Sequence, residues 1–192
     1  MATRGRRPGN NDTRTVLVEA ASRLFAETGY EKTSLRDIAA AAGVDPALIR
    51  HYFGSKAGLF RETMGWPFEP ADVTARVVDG DPAGIGERLA EVFFELWEQP
   101  ESRAPLMAIL RGAATHDDSA ALVRQFIKGQ LYLRVAGAVA GPDAELRIDL
   151  AMAQLLGVAY LRYILQLEPI ASRPVAELTA RVAPVVSAHL NR

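Results

Sequence analysis

The chain has 192 residues, of which 49% are hydrophobic and 23% charged, as in a soluble globular protein with one small and one larger core. It has no cysteine, which excludes disulfides, thiolate catalysis and Cys-ligated metals, and no run of about 18 apolar residues that would predict a transmembrane helix. The net charge of −1 divides into +4 over residues 1–61 and −5 over residues 62–192. This distribution suits a protein that binds a polyanion through its N-terminal part.

Residues 1–11 form a polar segment that contains Arg4, Arg6 and Arg7 and too little apolar area to bury. We therefore expect a disordered basic arm. It is either a solvated tail or an arm whose arginines enter a DNA minor groove. No apolar core follows the basic residues, so the segment is not a secretory signal, and we expect a cytoplasmic protein.

The first helix is predicted over residues 12–27, where apolar residues recur at helical spacing, and Gly29 is expected to end it. The stretch Thr33–Phe53 then predicts a helix, a tight turn and a second helix. Ser34 is placed to cap the first of these, and Gly43 permits the turn. Asp45 is placed to cap the second, with Pro46 at its first position.

The second helix of this pair has an exposed face that is small at its N-terminal end and basic further on. Small residues let a backbone approach base edges in a major groove, and basic residues meet phosphates. An ordinary helical hairpin with a solvated face is the alternative. The residues predicted to contact DNA lie on this face, in the preceding helix, in the arm and at the start of the fourth helix: Arg6, Arg7, Thr33, Ser34, Arg36, Pro46, Ala47, Leu48, Arg50, His51, Tyr52 and Lys56.

About fifty residues, 11 to 60, resemble the N-terminal domain of the TetR family of transcriptional regulators. The resemblance is carried by Ala21–Gly29, by Ala42-Gly43-Val44, and by His51-Tyr52-Phe53 followed by Ser55-Lys56. It implies a helix-turn-helix DNA-binding domain over 12–62, a ligand-binding and dimerisation domain over 63–192, and a homodimer formed through the last two helices.

After this domain the spacing of apolar residues is helical to the end of the chain. No run alternates at period two for long enough to predict a strand. Gly65–Asp81 is rich in Gly, Pro and Asp and is interpreted as a connecting segment. Five helices are predicted after it, over 82–98, 103–114, 117–140, 143–167 and 175–190. The predicted fold is therefore all-α with about nine helices: a three-helix N-terminal helix-turn-helix domain and a C-terminal helical bundle.

The helix over 143–167 carries two apolar stripes. One repeats at 4-3-4 spacing, as in a coiled coil, and we call it the seam; its members are Leu146, Leu150, Ala153, Gly157, Tyr160, Ile164 and Leu167. The other contains Ile148 and Leu155. The stripes belong either to a monomeric core or to a core and a dimer interface. The residues predicted at the interface are Leu150, Ala153, Gly157, Tyr160, Ile164, Leu178, Val182 and Val185.

A small-molecule site is predicted between the body helices, where aromatic residues accompany a few polar ones. The predicted contacts are Phe93, Trp97, Met107, Arg111, Phe126, Gln130, Gln154 and Arg162. Arg162 is expected either to pair with a carboxylate, to face solvent, or to receive an acidic ligand. Glu87, Glu91, Glu95 and Glu98 are interpreted as a solvated face.

Catalysis has no support in the sequence: the three histidines lie far apart, and capping explains Asp117 and Asp118 better than metal binding does. We predict no catalytic residues, no metal and no cofactor. The predicted function is a DNA-binding regulator, a repressor that binds a palindromic operator as a dimer and is released by a small-molecule effector. The alternatives are a helical ligand-binding protein or enzyme whose head no longer binds DNA, and an interaction module.

Overall fold

The computed structural model of the protein describes residues 10–139 and 141–191, without the side chains at positions 10, 11 and 130. Over these ranges the chain is helical and contains no strand, which confirms the all-α prediction. The described residues divide into two compact units: 10–66 together with 108–126, and 67–107 together with 127–139 and 141–191. The predicted basic arm lies outside the described residues, except for its last two positions.

The first unit contains four consecutive helices and, later in the chain, half of one helix and the whole of the next. They are α1 (Asn10–Thr28), α2 (Leu35–Ala42), α3 (Pro46–Phe53), α4 (Lys56–Thr63), the second half of α7 (Pro100–Thr115) and α8 (Asp117–Phe126). One buried cluster holds these helices together, and its larger members are Leu17, Phe25, Ile38, Ile49, Leu59, Phe60 and Phe126. Because hydrophobic burial is the main favourable term in folding, this cluster fixes the relative placement of α2 and α3.

The second unit is built around α6, α10 and α11. Its elements are α5 (Pro70–Val78), a 3₁₀ turn (Pro82–Gly84), α6 (Ile85–Glu98), the first half of α7, a π-helical turn (Ile127–Tyr132), α9 (Leu133–Ala138), α10 (Ala144–Ala159), a second π-helical turn (Tyr160–Ile164) and α11 (Val175–Leu190). The core of this unit includes Phe94, Trp97, Ile148, Leu155 and Val186.

The third and last helices have the bounds that were predicted. The segment Gly65–Asp81, which was interpreted as a connecting segment, is partly helical. This segment contains α5, a helix that was not predicted. The glycines and prolines that indicated a connection lie at the ends of the segment. Its inward stripe includes the polar Thr74, whose hydroxyl is satisfied by donating to the carbonyl of Pro70 at 2.8 Å.

Three further helices differ from their predicted bounds for reasons of backbone geometry. Helix α7 begins at Pro100 and not at the predicted residue 103, because a proline at the first helical position lacks only an N–H that would have no partner there. The helix predicted over 117–140 is interrupted by the π-helical turn Ile127–Tyr132, and the one predicted over 143–167 ends in the π-helical turn Tyr160–Ile164. Such a turn accommodates an extra residue while the apolar spacing still looks helical.

Candidate nucleic-acid interface

The turn between α2 and α3 is set by local interactions that the sequence predicted. The Ser34 hydroxyl accepts from the Asp37 amide at 3.2 Å, and an Asp37 carboxylate oxygen accepts from the Ser34 amide at 3.0 Å, which forms a reciprocal capping box. Gly43 ends α2 with φ of 67°, a left-handed conformation in which glycine avoids the steric cost that other residues carry. The direction of the chain into α3 is therefore fixed.

Helix α3 is also capped at both ends. A carboxylate oxygen of Asp45 accepts from the Ala47 amide at 2.7 Å, Pro46 occupies the first turn, and Gly54 ends the helix at φ of 71°. The Ser55 hydroxyl then accepts from the Gly58 amide at 3.0 Å and begins α4. These caps limit α3 to eight residues, Pro46–Phe53, a length suited to one groove.

The exposed face of α3 presents Pro46, Ala47, Arg50 and His51, while Ile49 is fully buried on the opposite side. On the neighbouring α2, Ser34 and Arg36 are also exposed. A small N-terminal end followed by two basic side chains is the arrangement that a recognition helix needs for close approach to bases and phosphates.

Three residues of the predicted DNA-binding set lie differently from the rest. Thr33 is 3% exposed and donates through its hydroxyl to the Gly29 carbonyl at 2.8 Å, so its side chain holds the α1–α2 turn and is not presented to DNA. Leu48 and Tyr52 are half-buried and pack partly against the core of the first unit. Arg6 and Arg7 lie outside the described residues.

Lys56 lies at the first position of α4, beside the turn between α1 and α2. Its Nζ is 4.3 Å from the ring centroid of Tyr30 and 3.4 Å from the carbonyl oxygen of Glu31. A cation over an aromatic face is weakly stabilised and remains able to meet an anion. The start of α4 adds the partial positive charge of a helix N-terminus, so this position suits a phosphate.

The residues predicted to bind a small ligand are divided between the two units and differ in exposure. Phe126 belongs to the core of the first unit, Arg111 and Gln154 are exposed, and the side chain of Gln130 lies outside the described residues. Phe93 and Trp97 are buried among other aromatic rings of the second unit, and Met107 is half-buried. Periodicity could not separate an aromatic core from an aromatic pocket, because both place rings at helical spacing.

Arg162 takes the first of its three predicted alternatives and pairs with a carboxylate. Its Nε and Nη2 donate to Glu98 Oε1 at 3.1 and 3.0 Å, and its Nη1 donates to the carbonyls of Ile170, Ala171 and Arg173 at 2.8 to 3.0 Å. The Tyr163 hydroxyl donates to the same oxygen of Glu98 at 2.6 Å. The guanidinium is thus fully engaged in holding the segment that joins α10 to α11.

The pKa values of this cluster follow from its contacts. Burial by itself favours the neutral form of Glu98, but hydrogen bonds from Tyr163 and Arg162 outweigh burial and hold the pKa of the carboxyl below its ordinary value. Burial and the adjacent carboxylate raise the pKa of the Tyr163 hydroxyl, so it stays protonated as a donor. The arrangement is therefore a structural ion pair with its hydrogen bonds satisfied.

A groove of 680 Å³ runs between α6 and α11 in the second unit. Its apolar floor includes Phe94, Val175 and Ala183, and one wall carries the four glutamates that were interpreted as a solvated face: Glu87, Glu91, Glu95 and Glu98. Glu95 pairs with Arg76 at 2.6 Å, and Glu98 pairs with Arg162 at 3.0 Å. No pattern of residues indicated this groove, because it depends on how far α11 lies from α6.

The two apolar stripes of α10 are separated by burial. Ile148 and Leu155 are buried in the second unit, whereas the seam residues Leu150 and Tyr160 are 45% and 48% exposed in the protomer. A Cβ at Gly157 would have no atom within 4 Å. The seam is thus an uncovered apolar surface along α10 and the π-helical turn that follows it.

The α11 part of the predicted interface divides in a similar way. Val185 is 42% exposed, but Leu178 and Val182 are buried in the protomer core. Those two side chains are already covered within one chain and offer little surface to a partner. Their period-four spacing is that of a core stripe, which sequence alone does not distinguish from an interface stripe.

Among residues 10–139 and 141–191, no three His, Asp or Glu side chains come together in a way that would hold a metal ion. No helix in the same ranges is both long enough and apolar enough to cross a membrane.

A capped helix-turn-helix with an exposed, basic second helix, followed by a larger helical unit, defines the class: a DNA-binding transcriptional regulator. Comparison with known proteins agrees. The family described as "Bacterial regulatory proteins, tetR family" matches residues 17–63, and "Tetracyclin repressor-like, C-terminal domain" matches residues 83–190. The chain belongs to the TetR family, as the sequence resemblance implied.

Individual relatives support the same assignment. The HTH-type transcriptional regulator BetI of Rhizobium meliloti (strain 1021) is 30% identical over 185 residues, covering 92% of this chain and 89% of the relative. TtgR of Pseudomonas putida, also an HTH-type transcriptional regulator, is 37% identical over 90 residues, covering 44% and 43% of the two chains. The fatty acid degradation regulator FadR of Bacillus halodurans shares the fold, with a TM-score of 0.52 at 18% identity over 95% of this chain and 97% of that one.

Proposed function

We propose that the protein is a repressor that binds a palindromic operator as a homodimer and is released by a small-molecule effector. The observation that carries the DNA-binding part is the face of α3, where Pro46 and Ala47 allow close approach, Arg50 supplies positive charge and His51 presents an exposed imidazole. Direct readout then falls to α3, and Ser34, Arg36 and Lys56 position the phosphate backbone.

The exposed seam supports the homodimer. Two recognition helices must lie about 34–36 Å apart, or at a multiple of that distance, to meet successive major-groove faces, and a fixed two-fold interface sets such a spacing. The interface that we propose consists of Leu150, Ala153, Gly157, Tyr160, Ile164 and Val185. Apolar side chains on an uncovered helix face gain free energy when a second copy buries them.

The groove between α6 and α11 supports an effector site in the second unit. Its 680 Å³ falls within the roughly 300–1,000 Å³ of small-molecule sites, and its floor is apolar with charged groups on one wall. Substituting Ala180, which lines the groove, with Trp should fill it. A compound that releases DNA from the parent protein is expected to fail on Ala180→Trp, and full response of that variant would place the effector elsewhere.

Selection of genomic DNA by the purified protein tests the DNA-binding proposal. We expect enrichment of an inverted repeat whose half-sites are spaced by about one helical turn or a multiple of it. A double variant, Arg50→Ala with His51→Ala, is the matched control and should enrich nothing. If the parent also enriches no inverted repeat, at low as well as moderate salt, the alternative of a helical ligand-binding protein or enzyme with an inactive head becomes the better account.

A further inference from the structure

Helix α8 is packed into the DNA-binding unit although it lies more than fifty residues beyond α4. The ring of Phe126, at its C-terminal end, is 1% exposed, with its centroid 4.6 Å from that of Trp66 and 5.9 Å from that of Phe60. A buried aromatic side chain of this size holds the end of α8 firmly against α4. The residue before it, Gln125, is exposed, and its place on α8 is set by this packing.

Gln125 reaches the turn between α1 and α2. Its side-chain carbonyl oxygen accepts from the backbone amide of Tyr30 at 2.7 Å, across 95 positions of sequence. At the adjacent Gly29, which has φ of 84°, a Cβ would lie 3.5 Å from Gln125 Nε2, so the amide group lies along this turn. The hydrogen bond thus satisfies a donor that the turn itself leaves without a backbone acceptor among the described contacts.

The turn held by Gln125 leads directly to the proposed DNA-contacting groups. The Tyr30 ring packs at a tilt against the rings of Phe25 and Phe60, with centroids 5.7 and 4.8 Å away, and its face contacts the Lys56 ammonium. The carbonyl of Glu31, the next residue, accepts from the same ammonium. Three residues further on, Ser34 begins the cap of α2.

We propose that Gln125 is a positioning residue for DNA binding. By fixing the Tyr30 amide, its side chain sets the position of the turn and, through it, of Lys56 and the start of α2. Because groups that bind a polyanion gain affinity when they are held in place beforehand, a free turn should bind DNA more weakly without unfolding. The inference rests on the proposed function, and it assigns a determinant of DNA affinity to a helix outside the helix-turn-helix.

Two variants of the full-length protein test this role. Gln125→Met keeps the length of the side chain and removes the acceptor, whereas Gln125→Glu keeps an acceptor for the Tyr30 amide. For Gln125→Met we expect about a 3- to 10-fold loss of affinity for the inverted-repeat fragment selected above, the effect of one hydrogen bond. The Tyr30 amide should also exchange faster with solvent deuterium, while the thermal unfolding midpoint stays close to that of the parent.

Gln125→Glu should restore both the affinity and the slow exchange, measured at moderate salt so that the added charge is screened. Equal affinity of parent and Gln125→Met for the selected fragment, or equal loss in both variants, would overturn the inference. Unchanged exchange of the Tyr30 amide in Gln125→Met would do the same. If the parent selects no DNA at all, the proposed function fails instead, a result distinct from each of these.

Discussion

Gly86 on α6 and Ser187 on α11 are in contact backbone to backbone. A Cβ on Gly86 would lie 2.5 Å from the Cα of Ser187 and 2.6 Å from its amide nitrogen, closer than packed atoms can approach. The two helices therefore cross at a point where only glycine fits. The crossing anchors α11 against α6 near one end, while the groove opens further along the same pair of helices.

Gly86→Ala should accordingly lower the free energy of unfolding by about 1–3 kcal/mol, the usual cost of overpacking a core. Alanine is the better helix former, so its propensity works in the opposite direction. Gly137→Ala in α9 is the matched control, because a Cβ there has no atom within 4 Å. Urea denaturation of both variants measures the free energy of unfolding. Equal stability of Gly86→Ala and the parent would show that α11 can shift without cost.

Arg50 is the exposed basic side chain of α3 best placed for a base edge. Arg50→Ala should cost about 1–3 kcal/mol in operator affinity and relax the preference at one base pair, if the guanidinium makes a bidentate contact. Titration against the selected fragment and its single-base variants measures both effects. Arg134→Ala in α9, also exposed, is the control for lost charge. A uniform loss across sequences with a shallower salt dependence would make Arg50 a phosphate contact.

The three arginines of the N-terminal arm should add affinity through charge. Replacing Arg4, Arg6 and Arg7 with glutamine keeps the length of the arm and removes its positive charge. If all three meet phosphates, the slope of log affinity against log salt should fall by about 0.9 for each lost contact. The measurement is a salt titration of operator binding. An identical slope for parent and variant would identify the arm as a solvated tail.

The helix-turn-helix was predictable because its signals are local. Ser34, Gly43 and Asp45 act on backbone groups within a few residues, so their roles follow from spacing alone. Thr33 shows the limit of that reasoning. Its hydroxyl is held by the carbonyl of Gly29, four residues earlier, and its burial results from packing that no local pattern encodes.

Features that depend on distant parts of the chain were not predictable. The docking of Phe126 into the first unit joins positions separated by sixty or more residues, and the apolar spacing of α8 is the same whichever core it enters. The partner of Arg162 is Glu98, which lies 64 positions earlier in the chain. The sequence contains many carboxylates and does not show which of them pairs with Arg162. The two stripes of α10 were visible in the sequence, but only burial assigns one of them to the protomer core.

Glu98 should make the stability of the protein sensitive to acid. Its pKa is depressed in the folded state, so the stabilisation it contributes is present above about pH 4.3, the ordinary glutamate value, and is lost as the pH falls through the folded pKa. Glu98→Gln should lower the free energy of unfolding by about 1 kcal/mol at pH 7, a modest value because the carboxylate is partly exposed.

The difference between Glu98→Gln and the parent should shrink towards pH 3, where the parent carboxyl is protonated too. Denaturant titrations at pH 7, 5 and 3 follow this convergence. Glu87→Gln, at an exposed position of the same helix, is the control for a change of net charge. A constant difference between parent and Glu98→Gln across that range would show that the Arg162 and Tyr163 contacts contribute equally to either protonation state.

Gly157 lies in the middle of the seam, where a larger side chain would separate two helices that pack through it. Since a Cβ at this position meets nothing within the protomer, Gly157→Leu should leave the fold of one chain intact and weaken self-association. Operator binding should fall with it, because only the dimer holds two recognition helices at the required spacing. Gly137→Leu makes the same substitution at an exposed helical glycine outside the seam. Light scattering, circular dichroism and operator titration on both variants measure self-association, helical content and DNA binding. A Gly157→Leu protein that stays dimeric and binds DNA normally would place the interface on another surface.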